Sequence, residues 1–331
     1  MPKKALVTGL ASFWGAKAAQ HLVDSGEFDV IVGVDTRAPH EPIDGVDFIV
    51  SDQSYSSLAR LVKKSGVDTI IHSFLVLSTA STPSRSLHEI NVIGTMNLLA
   101  AAGQSASKVT KIVVKSSSLI YGSNFRDPAF FTETTARSSK PKTEVESSLI
   151  EAESYIQEFA EDNPYVDLCV LRFPNVLGPT IESDLSQALI KGVAPVVIGF
   201  DPLLQFVHED EVLRVIDFVM SDSISGVFNV AAEDRIPWSR VYAKAKATPL
   251  LIPPFFTTQA TAFYRALGVA KVPSELVDLL TYGRGIDGQK LRELGYKHLY
   301  TTEEAVDKFA EYASSLKSRA VPRQTVSIAN P

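Results

Sequence analysis

Residues 5–35 read ALVTGLASFWGAKAAQHLVDSGEFDVIVGVD. Ala5–Thr8 is a short apolar run suited to a buried strand. From Gly15 to Ser25 the apolar residues Ala18, Ala19, Leu22 and Val23 recur at helical spacing, and Gly26 ends the pattern. A second apolar run, Val30–Val34, stops at Asp35. Strand, glycine turn, helix and strand together make one βαβ unit, whose two strands lie parallel in one sheet.

The alternation continues outward from this unit. Phe48–Val50, Thr69–His72, Ile112–Lys115 and Leu168–Arg172 are further strand segments, separated by helical stretches at Ser56–Lys64, His88–Ala102 and Ser147–Glu161. Strands alternating with helices predict a parallel sheet covered on both faces. After Asn175 the elements become shorter and are interrupted by Pro179, Pro195, Pro202, Pro237, Pro249, Pro253, Pro254 and Pro273. A helical stretch at Glu211–Met220 and a strand at Val227–Val230 lead the chain back to the sheet. The predicted architecture is therefore α/β: a Rossmann-type doubly wound parallel sheet with a smaller, interleaved C-terminal substrate lobe. The sheet domain takes residues 1–175, with 203–232 returning to it. The lobe takes 176–202 and 233–318, and residues 319–331 form a frayed tail.

Composition narrows the function. The 331 residues are 45% hydrophobic and 21% charged, which suits a large packed core. A formal charge of −6 without a long run of one sign argues against a nucleic-acid partner. No apolar run approaches the ~18 residues of a membrane span, and no secretory leader pattern opens the chain. The single cysteine, Cys169, lies in a strand segment and reads as a buried packing residue. These features predict a soluble cytoplasmic protein with no membrane partner and, absent a second ligand cluster near His208, Glu209 and Asp210, no metal site. Those three residues read as a cap for the helix that follows.

Thr8–Gly15 stands where a Rossmann fold brings a pyrophosphate onto helix N–H groups. Gly9 and Gly15 occupy the first and third glycine positions, and Ser12 replaces the second, where its side chain intrudes on the phosphate approach or bonds a phosphate oxygen. Phe13 and Trp14 complete the cofactor turn. Asp35, twenty residues after Gly15, suits the two hydroxyls of an adenosine ribose and repels a 2′-phosphate. NAD is thus preferred over NADP, with Arg37 offsetting part of that repulsion.

Six segments, this turn among them, carry a resemblance that spans residues 5 to about 310. Thr8–Gly15 is similar to a TGxxGxxG turn except at Ser12. Asn91–Leu99 is similar to NVxGTxNLL, Ser116–Gly122 to SSxxVYG, and Leu171–Pro179 to LRxxNVYGP. Phe206–Asp210 is similar to FVHVDD, and Asp287–Gly295 to DxxKLRELG. In these residues the chain resembles the extended short-chain dehydrogenase/reductase family, in its NAD-dependent epimerase/dehydratase branch, as a divergent UDP-glucose 4-epimerase-like member. The resemblance implies that Ser117 bonds the reacting oxygen, that Asp52 contacts adenine or simply forms a turn, and that Asn91 holds the active-site helix or packs it. It implies Asn175 near a bound sugar and His72 packed beside the cofactor.

The family's Tyr-x-x-x-Lys pair is where the chain departs. Counting back from Asn175, with Glu153 as the family glutamate, the two positions fall on Val145 and Leu149, neither of which moves a proton. Loss of a general acid/base costs roughly 10²–10⁴ in rate. Tyr121 is the expected substitute, its alternative being to line the sugar site, while Lys140 and Lys142 read as solvated. The resemblance implies a sugar or nucleotide-sugar substrate handled by hydride transfer at an atypical site. The other reading is a dinucleotide-binding regulatory or interaction protein without turnover. A substrate diphosphate would need a cation from the lobe, with Arg284 ahead of Arg235, Arg240 and Arg265, its alternative being a surface arginine that bonds local carbonyls. The helices at His88–Ala102 and Ser147–Glu161 could pair in a homodimer or pack internally.

Overall fold

The computed structural model describes residues 2–77, 84–181, 183–221, 223–253 and 274–320. Its central sheet begins with β1 (Lys4–Thr8), β2 (Val30–Asp35), β3 (Val46–Val50), β4 (Thr69–His72), β5 (Lys111–Ser117) and β6 (Asp167–Phe173). Six short strands form three pairs outside the large sheet. β7 (Asn175–Leu177) pairs with β10 (Phe206–His208), β8 (Val193–Val197) with β13 (Thr248–Ile252), and β9 (Leu203–Leu204) with β12 (Ile236–Pro237). Between β10 and β12 the chain returns to the large sheet through β11 (Gly226–Asn229), which lies parallel to β6.

The seven-stranded order is β11-β6-β5-β4-β1-β2-β3, with parallel pairing throughout. Strand order reverses direction between β1 and β4, so the loops after these strands diverge and open a crevice at the carboxyl edge, where ligands bind in such sheets.

Helices α1 (Phe13–Ser25), α2 (Tyr55–Ser65), α3 (Ser84–His88), α4 (Gly94–Ala102), α5 (Glu144–Asp162), α6 (Asp184–Ile190) and α7 (Glu209–Ser221) follow in chain order. A π-helical segment, Glu89–Ile93, joins α3 to α4 where the sequence predicts one regular helix. On one face of the sheet Leu58, Leu98, Val145, Leu149 and Ile156 pack on Leu6, Ile70, Ile112, Val114 and Val170. On the other, Ala18, Leu22, Val212, Val215 and Val219 of α1 and α7 pack on Val7, Ile71, Val113, Leu171 and Phe173. Burial of both faces explains why the strands read as continuous apolar runs. A separate cluster around Leu177, Leu189, Phe206, Trp238 and Phe309 holds the proline-interrupted part together.

One expectation shifts. Helix Thr302–Ala320 runs through the predicted start of the tail at Arg319, and residues 321–331 lie outside the described residues. Pro254, Arg265 and Pro273 also lie outside them. No described helix is long and apolar enough to cross a membrane.

Candidate active site

A cleft of about 990 Å³ opens at the carboxyl edge of the sheet. The cofactor turn, the loop after β4, the ends of β5 and β6, and residues of the C-terminal part all line it.

The turn at its base requires its glycines. Gly9 has φ +72°, and a Cβ there would lie 2.7 Å from Phe74 Cβ, while a Cβ on Gly15 would lie 2.0 Å from the Gly9 carbonyl oxygen. Ser12 caps α1 in extended geometry, and its Oγ accepts the Gly15 N–H at 3.1 Å. The hydroxyl folds back onto the helix as an acceptor, while Ser12 still lines the cleft. Ala16 N–H donates to Ser12 O, and among the described residues the N–H groups of Phe13 and Trp14 have no hydrogen-bond partner at the helix start, the place where an anion binds. Asp35 Oδ2 accepts the Ala11 N–H at 2.9 Å, and its Oδ1 accepts the Thr36 N–H at 2.7 Å. The carboxylate at the end of β2 therefore touches the turn itself.

Other expected cofactor residues do structural work. Asp52 is exposed and accepts from Ser54 N and Oγ, bonds that hold its carboxyl below the usual range. This is the turn-forming alternative. Asn91 is 0% exposed, so it does not reach the cleft. Its Oδ1 accepts the Val76 N–H at 2.7 Å, and its Nδ2 donates to Val76 O and to Ser148 Oγ on α5. Asn91 thereby fixes the loop 73–77, which lines the cleft, to the helix behind it.

His72 is buried between two threonines. Thr95 Oγ1 donates to Asn91 O at 2.6 Å, so it faces His72 Nε2 as an acceptor at 3.0 Å, and Thr8 Oγ1 must then donate to Nδ1. The network assigns a neutral ring, and burial pushes the imidazole pKa down to about 3.

At the end of β5, Ser117 lines the cleft, and its Oγ accepts the Leu119 N–H at 3.2 Å, leaving its own proton free to donate. Ser116 points the other way and donates to Glu153 Oε1 at 2.5 Å. Glu153 pairs with Arg172, whose Nη1 donates to Tyr121 Oη at 2.7 Å; that hydroxyl in turn donates to Asn229 Oδ1 at 2.8 Å. Tyr121 is 2% exposed, stacks on Phe131 and does not line the cleft. Burial raises its pKa. The expectation that Tyr121 supplies acid/base chemistry, or lines the sugar site, is corrected by this geometry.

Val145 and Leu149 are each 0% exposed and sit in the apolar layer beneath α5. The helix contains no lysine. Lys142 pairs with Asp278 at 2.6 Å, and Lys140 is exposed.

From the far side come Asn175, at the start of β7, and Arg284, both of which line the cleft. Arg284 lies between two glycines forced by backbone contact. A Cβ on Gly283 would lie 2.6 Å from Leu203 O, and one on Gly285 would lie 2.6 Å from Ala129 O. Arg284 Nη1 donates to Gly122 O at 3.2 Å, and burial lowers its pKa to about 10. Arg235 donates to Ala129 O instead, and Arg240 pairs with Glu303. His208 caps the start of α7, its Nδ1 accepting the Asp210 N–H.

Lys115 lines the cleft and went unmarked in the sequence reading. Its Nζ lies 5.0 Å from the Trp14 ring and 5.5 Å from the Phe173 ring. A signal was present: a lysine after Ile112-Val113-Val114 puts an ammonium inside a buried strand.

A model of the NAD dependent epimerase/dehydratase family matches residues 5–231. The chain belongs to that family. This epimerase/dehydratase-family chain is 29% identical to the uncharacterized protein Rv0501 of Mycobacterium tuberculosis over 314 residues, 93% of this chain and 83% of that one. Among solved structures it is similar to MoeE5 in complex with UDP-glucuronic acid and NAD. That likeness has a TM-score of 0.71 at 20% identity, covering 95% of this chain and 99% of that one. It is also similar to the Bordetella bronchiseptica enzyme WbmG in complex with NAD and UDP. There the TM-score is 0.72 at 18% identity, covering 94% of each chain.

Proposed function

We propose that this protein binds NAD and performs oxidation–reduction on a sugar, most simply a nucleotide-linked one, at a site that lacks the helix-borne proton-transfer pair. The observation that carries the reading is the coexistence of a sterically obligatory glycine turn with a cleft of about 990 Å³ reaching from that turn to Arg284.

The residues fit the cofactor. Phe13 and Trp14 N–H groups suit its diphosphate, and Asp35 suits the adenosine ribose hydroxyls while disfavouring a 2′-phosphate. When bound, NAD supplies a two-electron acceptor for a carbinol carbon. Oxidation of that carbon also releases the hydroxyl proton, which passes to water in the cleft, while Ser117 holds the oxygen by a hydrogen bond as it becomes a carbonyl. Asn175 bonds the sugar, and Arg284 offers a fork to the substrate diphosphate, a match of planar donors to phosphate oxygens. The nucleotide-sugar complexes of the structural neighbours favour this substrate class.

A second reading, cofactor binding without turnover, is favoured by the burial of Val145 and Leu149. One experiment separates the two. Purified protein is denatured and the released dinucleotide identified, and refilled protein is then mixed with UDP-glucose and UDP-glucuronic acid while reduction of NAD is followed. A mixture of NAD and NADH on release, with reduction on mixing, supports the enzyme. Bound NAD that no UDP-sugar reduces supports the second reading, and protein that binds neither NAD nor NADP overturns both.

A further inference from the structure

Along β5 the side chains alternate between faces: Val113 joins the layer under α1 and α7, and Val114 joins the layer under α5. Lys115 therefore rises on the α1 face. It is 7% exposed, yet it reaches the cleft, between an aromatic ring in the first turn of α1 and another at the end of β6. Among the described residues no carboxylate is paired with it. An ammonium held on two ring faces beside a helix start is a cation without its counter-ion.

The charged neighbours do not supply one. On α1, Lys17 pairs with Glu209 of α7. Arg172 of β6 is on the opposite face with Glu153. The other ionisable groups around the cleft are His40, Asp184 of α6, Glu275 of helix Ser274–Tyr282, and Arg284. Burial is the one cause that moves Lys115, pushing its pKa down to about 8.

The turn meanwhile presents less positive potential than an uncapped one, because Ser12 Oγ has taken the Gly15 N–H. We propose that Lys115 is a cofactor-binding residue: its ammonium, delivered from the floor of the sheet beside Trp14, faces the dinucleotide's diphosphate, so the dinucleotide binds together with a proton at Nζ. This rests on the dinucleotide reading above. The cleft's lysine comes from a strand, whereas the helix behind it carries none.

Isothermal titration of the full chain with NAD, in two buffers of different ionisation enthalpy, tests this. At pH 8 binding takes up about half a proton per NAD, and affinity falls about tenfold between pH 7 and pH 9 as the amine must first be charged. Lys115→Met binds more weakly with no proton uptake, and Lys115→Arg binds with affinity independent of pH over this range. Competitive acetylation of the unmodified protein needs no variant: Lys115 reacts with a midpoint near pH 8 and is protected by NAD. NAD binding without proton uptake at pH 8, or uptake that persists in Lys115→Met, overturns the assignment. A reaction midpoint near pH 10.5 does the same. Absence of any NAD or NADP binding by the wild-type chain instead overturns the dinucleotide reading itself.

Discussion

Gly15 stands so close to Gly9 that a single added carbon on it would sit 2.0 Å from the Gly9 carbonyl oxygen. That contact seats the first turn of α1 on the end of β1, and it joins two backbones, so no side-chain rotation relieves it. Gly15→Ala is expected to destabilise the fold by about 3 kcal/mol and to abolish NAD binding, read by thermal unfolding and by titration. A variant that melts normally and still binds NAD would remove the turn from the site.

Placing a Tyr/Lys pair on α5 at positions 145 and 149 is expected to fail. Val145 and Leu149 face the apolar layer under α5, so Val145→Tyr with Leu149→Lys forces a larger ring and a charge into packed hydrocarbon. Urea unfolding should show a loss of at least about 3 kcal/mol, with no gain in NAD reduction by UDP-sugars. A stable double variant with raised turnover would show that these positions face the cleft.

Tyr121→Phe removes the hydroxyl shared by Arg172 and Asn229 but leaves the Arg172–Glu153 pair in place. The expected result is a stability loss of about 1–3 kcal/mol with NAD affinity unchanged. Loss of affinity or turnover beyond that explained by unfolding would return Tyr121 to the chemistry.

The neutral His72 gives stability a pH dependence. Its folded pKa, pushed down to about 3, lies below the unfolded value of 6.5. Between those values the unfolded chain binds a proton that the folded chain refuses. The contribution is therefore present above pH 6.5 and is lost as pH falls toward 3, at up to about 1.4 kcal/mol per pH unit. Comparing urea midpoints at pH 6.5 and pH 5, wild type should lose about 2 kcal/mol more than His72→Gln. Equal losses would mean that the buried ring is already charged.

Arg284→Ala is expected to weaken UDP binding at least tenfold while leaving NAD binding intact, measured by titration of each ligand separately. Unchanged UDP affinity would confine Arg284 to its bond with Gly122 O.

The parts of the site legible in sequence are those set by spacing along one stretch of chain. The turn from Gly9 to Gly15 and the acid at position 35 are local to a single βαβ unit, so the order of residue types nearly dictates their geometry. The place of Ser117 at the end of a core strand was equally readable. Tyr121 was misread because its direction depends on Arg172, Asn229 and Phe131, which the fold brings from 51, 108 and 10 positions away. Asn91 carries a family signature, but its partners are Val76 and Ser148, and only tertiary structure shows that it braces a loop rather than touching a ligand. Lys115 went unmarked although its strand reads as buried, and where its ammonium ends, beside Trp14 and Phe173, is set by residues the fold brings from other elements.

The pairing of β11 with β6 bears on how the chain is made. The sixth strand ends at Phe173, and its outer neighbour begins at Gly226. During synthesis the sheet thus waits with an open hydrogen-bonding edge while about fifty intervening residues leave the ribosome, and such exposed edges recruit foreign strands. Nascent chains stalled before Gly226 should therefore be chaperone clients, and a cut made between the two strands would leave neither fragment self-sufficient.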